Sequence, residues 1–230
     1  MITDERTHTK KILFHPRMLP EVAILDPVLT VGMSPRMTAG TGMDALAHNL
    51  EAYCAPAHNP MADGIAAEGL RLVARYLAAA VDDGGNLEAR AHMLAAAAMG
   101  ATAFQKGLGA VHALSHPVGA LYDTHHGITN GVFLPYVLAF NRPAVEAKIA
   151  RLAAYMGLAD PSFDGFMAWL LKLRQTTGTP HTLGELGVGE DRLEAMASMA
   201  AVDPPAATNP VPVGAAELLG LYRRALRGEI

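Results

Sequence analysis

The spacing of apolar positions along the chain changes at about residue 35. Before it, short apolar runs within 2–14 and 21–26 are separated by prolines, a pattern typical of extended segments. After it, apolar residues recur with a helical period, which predicts a mainly α-helical architecture. The predicted helices cover residues 41–54, 60–81, 87–105, 110–122, 127–140, 143–156, 163–177, 190–201 and 214–227.

These two parts of the chain are predicted to differ in kind. Two strands without further β segments do not make an independently stable sheet. We therefore interpret residues 1–34 as a hairpin and linker that belong to a sheet completed outside this sequence, and residues 35–230 as a helical domain. Asn86 is the predicted N-cap of the helix that follows it. Because His116 precedes Pro117, we expect a kink or break in the helix there.

The composition narrows the class of protein. Hydrophobic residues make up 51% of the chain and charged residues 17%, which fits a well-packed globular domain, and the net charge of −4 gives no electrostatic reason to bind nucleic acid. No stretch has the roughly 20 apolar residues of a membrane span. A single cysteine, Cys54, excludes an intrachain disulfide and suits a reducing compartment. With a polar start and no signal-peptide pattern, we expect a cytoplasmic protein.

The polar residues that interrupt the apolar helices point to a metal site. Asp44 and His48 are four positions apart, and so are His112 and His116, so each pair shares one face of its helix. Both segments are otherwise apolar, and buried imidazoles and carboxylates need partners. A divalent metal ion would satisfy three imidazoles and one carboxylate together, and a donor set without thiolate suits Fe(II) or Zn(II).

The residue pattern leaves some of the ligands open. His125 and His126 are adjacent and diverge, so we expect only one of them to bind the ion. The proline after His116 favours a cleft position for that side chain if His126 is a ligand. A lone histidine on an apolar helix usually has a structural role, and we interpret the remaining five in that way: His8, His15, His58, His92 and His181. The sequence contains no Gly-x-Gly-x-x-Gly loop after a strand, no P-loop and no Ser-His-carboxylate arrangement.

Four stretches carry a resemblance to a known family, the iron-containing (group III) alcohol dehydrogenases. They are Thr41-Gly-Met-Asp-Ala-Leu-Ala-His48, Pro60-Met-Ala-Asp-Gly64, Gly107-Leu-Gly-Ala-Val-His-Ala-Leu-Ser-His-Pro-Val-Gly119 and Thr124-His-His-Gly127. The histidine-rich pattern is specific, and the resemblance extends along nearly the whole chain.

The resemblance implies an assignment for each candidate residue. The metal ligands fall on Asp44, His48, His112 and His126. The family's catalytic cleft histidine, beside the nicotinamide, falls on His116, and a cofactor-facing lysine in the hairpin falls on Lys10. The fold implied for the helical part is similar to that of dehydroquinate synthase. The implied cofactors are Fe(II) or Zn(II) and NAD(P), the substrate is a small alcohol or aldehyde, and the assembly is a homo-oligomer, expected to be a dimer.

One departure from the family is large. The family has an α/β domain whose glycine-rich loop binds the NAD(P) pyrophosphate, and this chain has no such loop. We therefore expect a chain that binds metal but turns over little by itself. The alternative is a non-catalytic, truncated helical metal-binding or interaction module. A third possibility keeps the fold with another substrate, such as a polyol, 4-hydroxybutyrate or maleylacetate, although the ligand set argues against maleylacetate.

Overall fold

The architecture is that of a helical domain preceded by a small hairpin. A computed structural model describes residues 2–4, 6, 9–11, 13, 15–18 and 20–230, without the side chains of residues 3, 9 and 10. The mainly α-helical class is confirmed, and within the described ranges no helix is both long and apolar enough to cross a membrane. The elements in these ranges are β1 (Ile2–Asp4), β2 (Thr9–Lys11), α1 (Pro35–Cys54), α2 (Pro60–Asp82), α3 (Leu87–Ala103), α4 (Ala110–Tyr122), α5 (His126–Tyr155), α6 (Phe163–Thr176), α7 (Leu193–Ala201) and α8 (Ala215–Arg227).

The two extended segments predicted before residue 35 behave differently. β1 and β2 pair antiparallel, with Ile2 opposite Lys11. The strand predicted at 21–26 is wrong, since these residues have no strand assignment and Val22 and Ile24 are 74% and 85% exposed. A strand needs a paired neighbour to satisfy its backbone, and an apolar run alone does not supply one.

Helix α1 begins six residues earlier than predicted, at Pro35 rather than 41. The Ser34 hydroxyl accepts a hydrogen bond from the Met37 backbone N–H at 3.2 Å, so Ser34 is the N-cap and Pro35 the first helical residue. Gly40 and Gly42 lie inside this helix, and a Cβ on Gly42 would overlap Leu77 of α2. The predicted N-cap at Asn86 is confirmed: its Oδ1 accepts from the Ala89 N–H at 3.0 Å.

Two predicted helix breaks do not occur. Helix α4 continues through Pro117, and α5 is one helix across Pro135 and Pro143, where two helices ending at 140 and starting at 143 were predicted. Tertiary contacts outweigh the loss of backbone hydrogen bonds at the prolines. Beside Pro143, Asn141 and Asn209 form a reciprocal amide pair with N–O distances of 2.9 and 2.7 Å. This pair fixes the middle of α5 to the segment that precedes α8.

Helix α1 lies at the centre of the core. It packs against α2, α3 and α5, and α4 packs against α5 and α7. Met43 and Leu46 of α1 are fully buried in this layer. The Tyr222 hydroxyl of α8 donates to the Leu114 carbonyl at 2.6 Å and thereby ties α8 to α4. The arrangement brings the polar faces of α1 and α4 and the N-terminus of α5 to one place.

Candidate metal centre

The predicted ligands come from three helices that meet at one point. Asp44 and His48 lie on α1, His112 on α4, and His126 is the first residue of α5. The start of α5 can approach α1 because Gly127 has no side chain. A Cβ at Gly127 would overlap the backbone carbonyl of Gly40 and lie 2.8 Å from the Cβ of Asp44.

The ligand atoms of this cluster face one another. Asp44 Oδ1 lies 3.8 Å from His112 Nε2 and 3.6 Å from His126 Nε2, and Asp44 Oδ2 lies 3.9 Å from His48 Nδ1. Asp44, His48 and His112 each offer one atom within 4.8 Å of the other two. Tetrahedral ligands at about 2.1 Å from a metal ion are themselves about 3.4 Å apart, so only small movements separate these atoms from coordination distance.

The cluster is open on one side. The side chain of His112 is 2% exposed, whereas those of Asp44, His48 and His126 are 26%, 23% and 29% exposed. A closed structural metal site would bury all of its donors. A partly open arrangement is the one that catalytic sites keep for a substrate.

The electrostatic surroundings of these side chains shift their pKa values in the directions that favour cation binding. Burial alone would raise the pKa of Asp44, but the neighbouring histidines His48, His126 and His112 and the Asn130 amide outweigh it and hold that pKa below its ordinary value. Burial, with His48 beside it, lowers the pKa of His112 well below the usual value for histidine. An ionised carboxylate next to a neutral imidazole is the protonation state that metal binding requires.

Glu51 orients His112 from behind. Glu51 Oε2 lies 2.6 Å from His112 Nδ1, and its Oε1 accepts from the Val111 backbone N–H at 2.7 Å. This carboxylate accepts a hydrogen bond from the Nδ1–H group and leaves the Nε2 lone pair directed at Asp44. Burial raises the pKa of Glu51 to about 7, against the lowering effect of backbone hydrogen bonds from Val111 and Gly109.

Glu51 and Asn130 are site residues that the sequence analysis missed. The Asn130 amide nitrogen lies 2.7 Å from Asp44 Oδ1, 3.3 Å from His112 Nε2 and 3.2 Å from His126 Nε2. A signal for both was present, since Glu51 follows Asp44 by seven positions and Asn130 follows His126 by four. Each of these spacings returns to the same helix face.

The structure separates His125 from His126. His125 caps α5, with its Nδ1 accepting from the Ile128 N–H at 3.4 Å and its Nε2 lying 3.2 Å from the sulfur of Met37. Its neighbour faces Asp44, so His126 is the member of the pair that the fold brings to the cluster.

His116 stands beside the cluster with a partner of its own. Its ring stacks on that of His126 with centroids 5.4 Å apart, and its Nδ1 lies 2.6 Å from Asp203 Oδ2. Helix α4 does not break here, so the cleft position comes from the helical turn itself, one turn beyond His112. Sequence reasoning missed Asp203, and its position 87 residues along the chain gave no local signal.

The remaining candidate residues lie away from the cluster or outside the described residues. The side chain of Lys10, the predicted cofactor contact, lies outside the described residues, as does His8. Among the described residues, the histidines interpreted as structural do not join the metal-ligand group. His92, for example, stacks on Tyr76 with ring centroids 4.0 Å apart.

The chain is similar to known proteins in sequence and in fold. Residues 38–226 match the model of the C-terminal part of the Fe-containing alcohol dehydrogenase family. The chain belongs to the iron-containing alcohol dehydrogenase family. A 4-hydroxybutyrate dehydrogenase from Cupriavidus necator is 41% identical over an alignment of 227 positions that covers 94% of this chain and 58% of that protein. The chain thus spans under two thirds of the length of the relative it matches.

Solved structures of the family have the same fold. A 1,3-propanediol oxidoreductase crystal structure superposes with a TM-score of 0.87 at 40% identity, covering 91% of this chain and 57% of that one. A sulfoacetaldehyde reductase from Bifidobacterium kashiwanohense, crystallised with NAD+, superposes with a TM-score of 0.84 at 29% identity, covering 91% of this chain and 55% of that one. The relatives are oxidoreductases, and the described cluster lies within the residues that the family model matches.

Proposed function

We propose that this chain is the metal-binding part of an NAD(P)-linked alcohol dehydrogenase. The observation that carries the proposal is the convergence of Asp44, His48, His112 and His126 in a partly open cluster. The donor set of three imidazoles and one carboxylate suits Fe(II) or Zn(II). We assign residues 35–230 to this metal-binding domain and residues 1–34 to the hairpin and linker of a cofactor domain.

The reaction divides between the bound groups and the chain. When bound, the metal supplies Lewis-acid polarisation of an alcohol oxygen and the nicotinamide accepts a hydride. The four ligands hold the ion, and Glu51 keeps the His112 lone pair directed at it. His116 accepts the hydroxyl proton, because its ring lies against His126 at the edge of the cluster. The open side of the cluster admits a small alcohol or aldehyde.

The cofactor site needs more than these residues. The relatives are longer than the match, and the glycine-rich loop expected of the family's cofactor domain is not in this sequence. We propose that an α/β cofactor domain completes the site and that Lys10, in β2, approaches the nicotinamide from the hairpin. The expected homodimer stays a prediction.

A second candidate function is a non-catalytic metal-binding or interaction module. The observation in its favour is the apolar surface of the segment before α1, where Val22, Ile24 and Leu29 are 74%, 85% and 82% exposed. Such a surface favours burial against another protein surface. The two candidates differ in whether alcohol oxidation accompanies metal binding.

Activity measurements distinguish the candidates. The metal-loaded chain is assayed alone and fused to the amino-terminal part of the Cupriavidus necator 4-hydroxybutyrate dehydrogenase, with NAD+ or NADP+ and 4-hydroxybutyrate, 1,3-propanediol or ethanol. We expect reduction of the nicotinamide by the fusion and little or none by the chain alone, with His112→Ala in the fusion as the inactive control. A fusion that binds metal and NAD+ but oxidises none of these alcohols would favour the interaction module. Turnover by the isolated chain would contradict the need for a cofactor domain.

A further inference from the structure

Asp203 occupies a capping position but does not cap. It lies at the N-cap of a short 3₁₀ turn, Pro204–Thr208, and its side chain makes no capping hydrogen bond. An aspartate at such a position ordinarily accepts from the backbone N–H groups that follow it. Here its Oδ2 lies 2.6 Å from His116 Nδ1 on α4. The carboxylate therefore contacts the histidine instead of capping its own turn.

The histidine of this pair is buried and the aspartate is mostly buried. The side chain of His116 is 4% exposed and that of Asp203 is 14% exposed. The His116 Nε2 atom is buried and has no hydrogen-bond partner within the described part of the chain. A buried polar atom without a partner is uncommon and calls for an explanation. Its position beside the ring of His126, at the edge of the metal cluster, supplies one.

The contact selects one form of the imidazole. A carboxylate accepts hydrogen bonds and has no proton to donate when ionised, so the neutral ring carries its proton on Nδ1. Nε2 then presents a lone pair. Without the carboxylate, nothing among the described contacts of His116 would favour this tautomer over the other.

We propose that Asp203 is a positioning residue that fixes the neutral His116 ring as the Nδ1–H tautomer and thereby directs the Nε2 lone pair to the edge of the metal cluster. The proposal rests on the proposed function for the use of that lone pair. In that function, bound NAD(P)+ would take the hydride of the C–H bond, and the hydroxyl proton would pass to the lone pair as the C=O bond forms.

The test reads the tautomer directly and needs neither metal nor substrate. The metal-free chain, labelled with ¹⁵N at histidine, is studied by two-bond ¹H–¹⁵N correlation at alkaline pH, where the rings are neutral. His116→Gln identifies the His116 signals by their loss. We expect the wild-type ring in the Nδ1–H form, and a shift toward the Nε2–H form in Asp203→Ala and Asp203→Asn, as in other histidine–aspartate pairs that lose the carboxylate.

Asp82→Asn, the same chemical change at an exposed position of α2, is the matched control and should leave the His116 tautomer unchanged. An Nε2–H ring in the wild type, or an Nδ1–H ring retained in both Asp203 variants, would overturn the proposal. Since the readout is independent of turnover, an inactive enzyme with the expected tautomers would count against the proposed function alone.

Discussion

Two successive turns of helix α4 carry the same pair of groups in different surroundings. At its N-terminal end His112 receives Glu51, and one turn later His116 receives Asp203, each through a 2.6 Å contact at Nδ1. The Nε2 atom of His112 faces Asp44 at 3.8 Å, whereas that of His116 has no partner among the described residues. In the proposed function, the same orienting contact serves a cation-binding imidazole at His112 and a proton-accepting imidazole at His116.

The elements that supply the carboxylates differ as well. Glu51 comes from α1, the helix at the centre of the core, and is buried with 7% of its surface exposed. Asp203 comes from a short turn after α7 and remains 14% exposed. The contact that orients the proposed cation ligand His112 therefore comes from the centre of the fold, and the contact that orients His116 comes from a more exposed turn. Loss of Glu51 should cost both stability and metal, and loss of Asp203 should cost neither to a comparable extent.

Replacing Glu51 should have the largest effect. Glu51→Ala leaves the buried N–H groups of Val111 and His112 without their acceptor, which costs about 1–3 kcal/mol in the free energy of unfolding. Loss of the partner of a ligating histidine also weakens metal binding by about 10–100-fold. Urea unfolding of the metal-free protein and a zinc titration measure the two effects. Glu194→Ala, at an exposed position of α7, should change stability by less than about 0.5 kcal/mol.

Equal behaviour of the Glu51 and Glu194 variants in both measurements would refute this role. Glu51→Gln separates the effect of the charge from that of the shape, because its amide keeps one acceptor oxygen in nearly the same volume. It should fall between wild type and Glu51→Ala in metal affinity.

The close approach of α5 to α1 should be the next most sensitive feature. Gly127→Ala places a methyl group against the Gly40 carbonyl and beside Asp44, which should destabilise the protein by about 1–3 kcal/mol and move His126 relative to both ends of α4. Gly64→Ala in α2 meets nothing within 4 Å and should stabilise it by about 0.4–1 kcal/mol. Thermal unfolding of both variants checks the contrast, and similar effects from both would contradict the packing described here.

Removing Asp203 should have a smaller effect on the fold. Asp203→Ala breaks one hydrogen bond of a partly exposed carboxylate, so we expect a loss of about 0.5–1.5 kcal/mol. Metal content should equal that of the wild type, because the hydrogen bond that is lost joins Asp203 to His116, which is not a predicted ligand. If Asp203→Ala lost its metal as completely as Glu51→Ala, the proposed difference between the His112 and His116 contacts would be contradicted.

Chemical modification of the Cys54 thiol tests whether the region around Glu51 is closed to solvent, and it needs no substitution. Cys54 follows Glu51 by one helical turn, and burial raises its pKa to about 12. At pH about 8 the group is therefore protonated, and it should react with a thiol reagent only after unfolding. Rapid modification of the native protein would contradict this account, because it would show that the region around Glu51 is open to solvent.

The sequence supported those parts of the fold and the site that depend on local periodicity. The helices around His112, the cap at Asn86 and the shared face of Asp44 and His48 follow from spacing alone. Glu51 was within reach of the same reasoning, because it lies on the ligand face of α1. A ligating histidine needs an acceptor for its Nδ1–H group, and a carboxylate on the same face of α1 meets that need.

Other features depend on distant packing and leave no local pattern. Asp203 meets His116 across 87 positions of sequence, and Asn141 meets Asn209 across 68. The continuity of α5 through Pro143 belongs to the same class, since proline normally ends a helix and only the surrounding contacts keep this one intact. The wrong strand at 21–26 shows the reverse case, in which an apolar run has no paired neighbour in the described structure.

The central claim is that Asp44, His48, His112 and His126 hold one divalent metal ion, and metal content tests it most directly. Protein purified without oxygen is analysed by elemental analysis beside the double variant His112→Ala/His126→Ala, with circular dichroism to confirm that both are folded. We predict about one iron or zinc per wild-type chain and a marked loss in the variant. A folded wild-type protein without metal, or equal metal in the two proteins, would contradict the account.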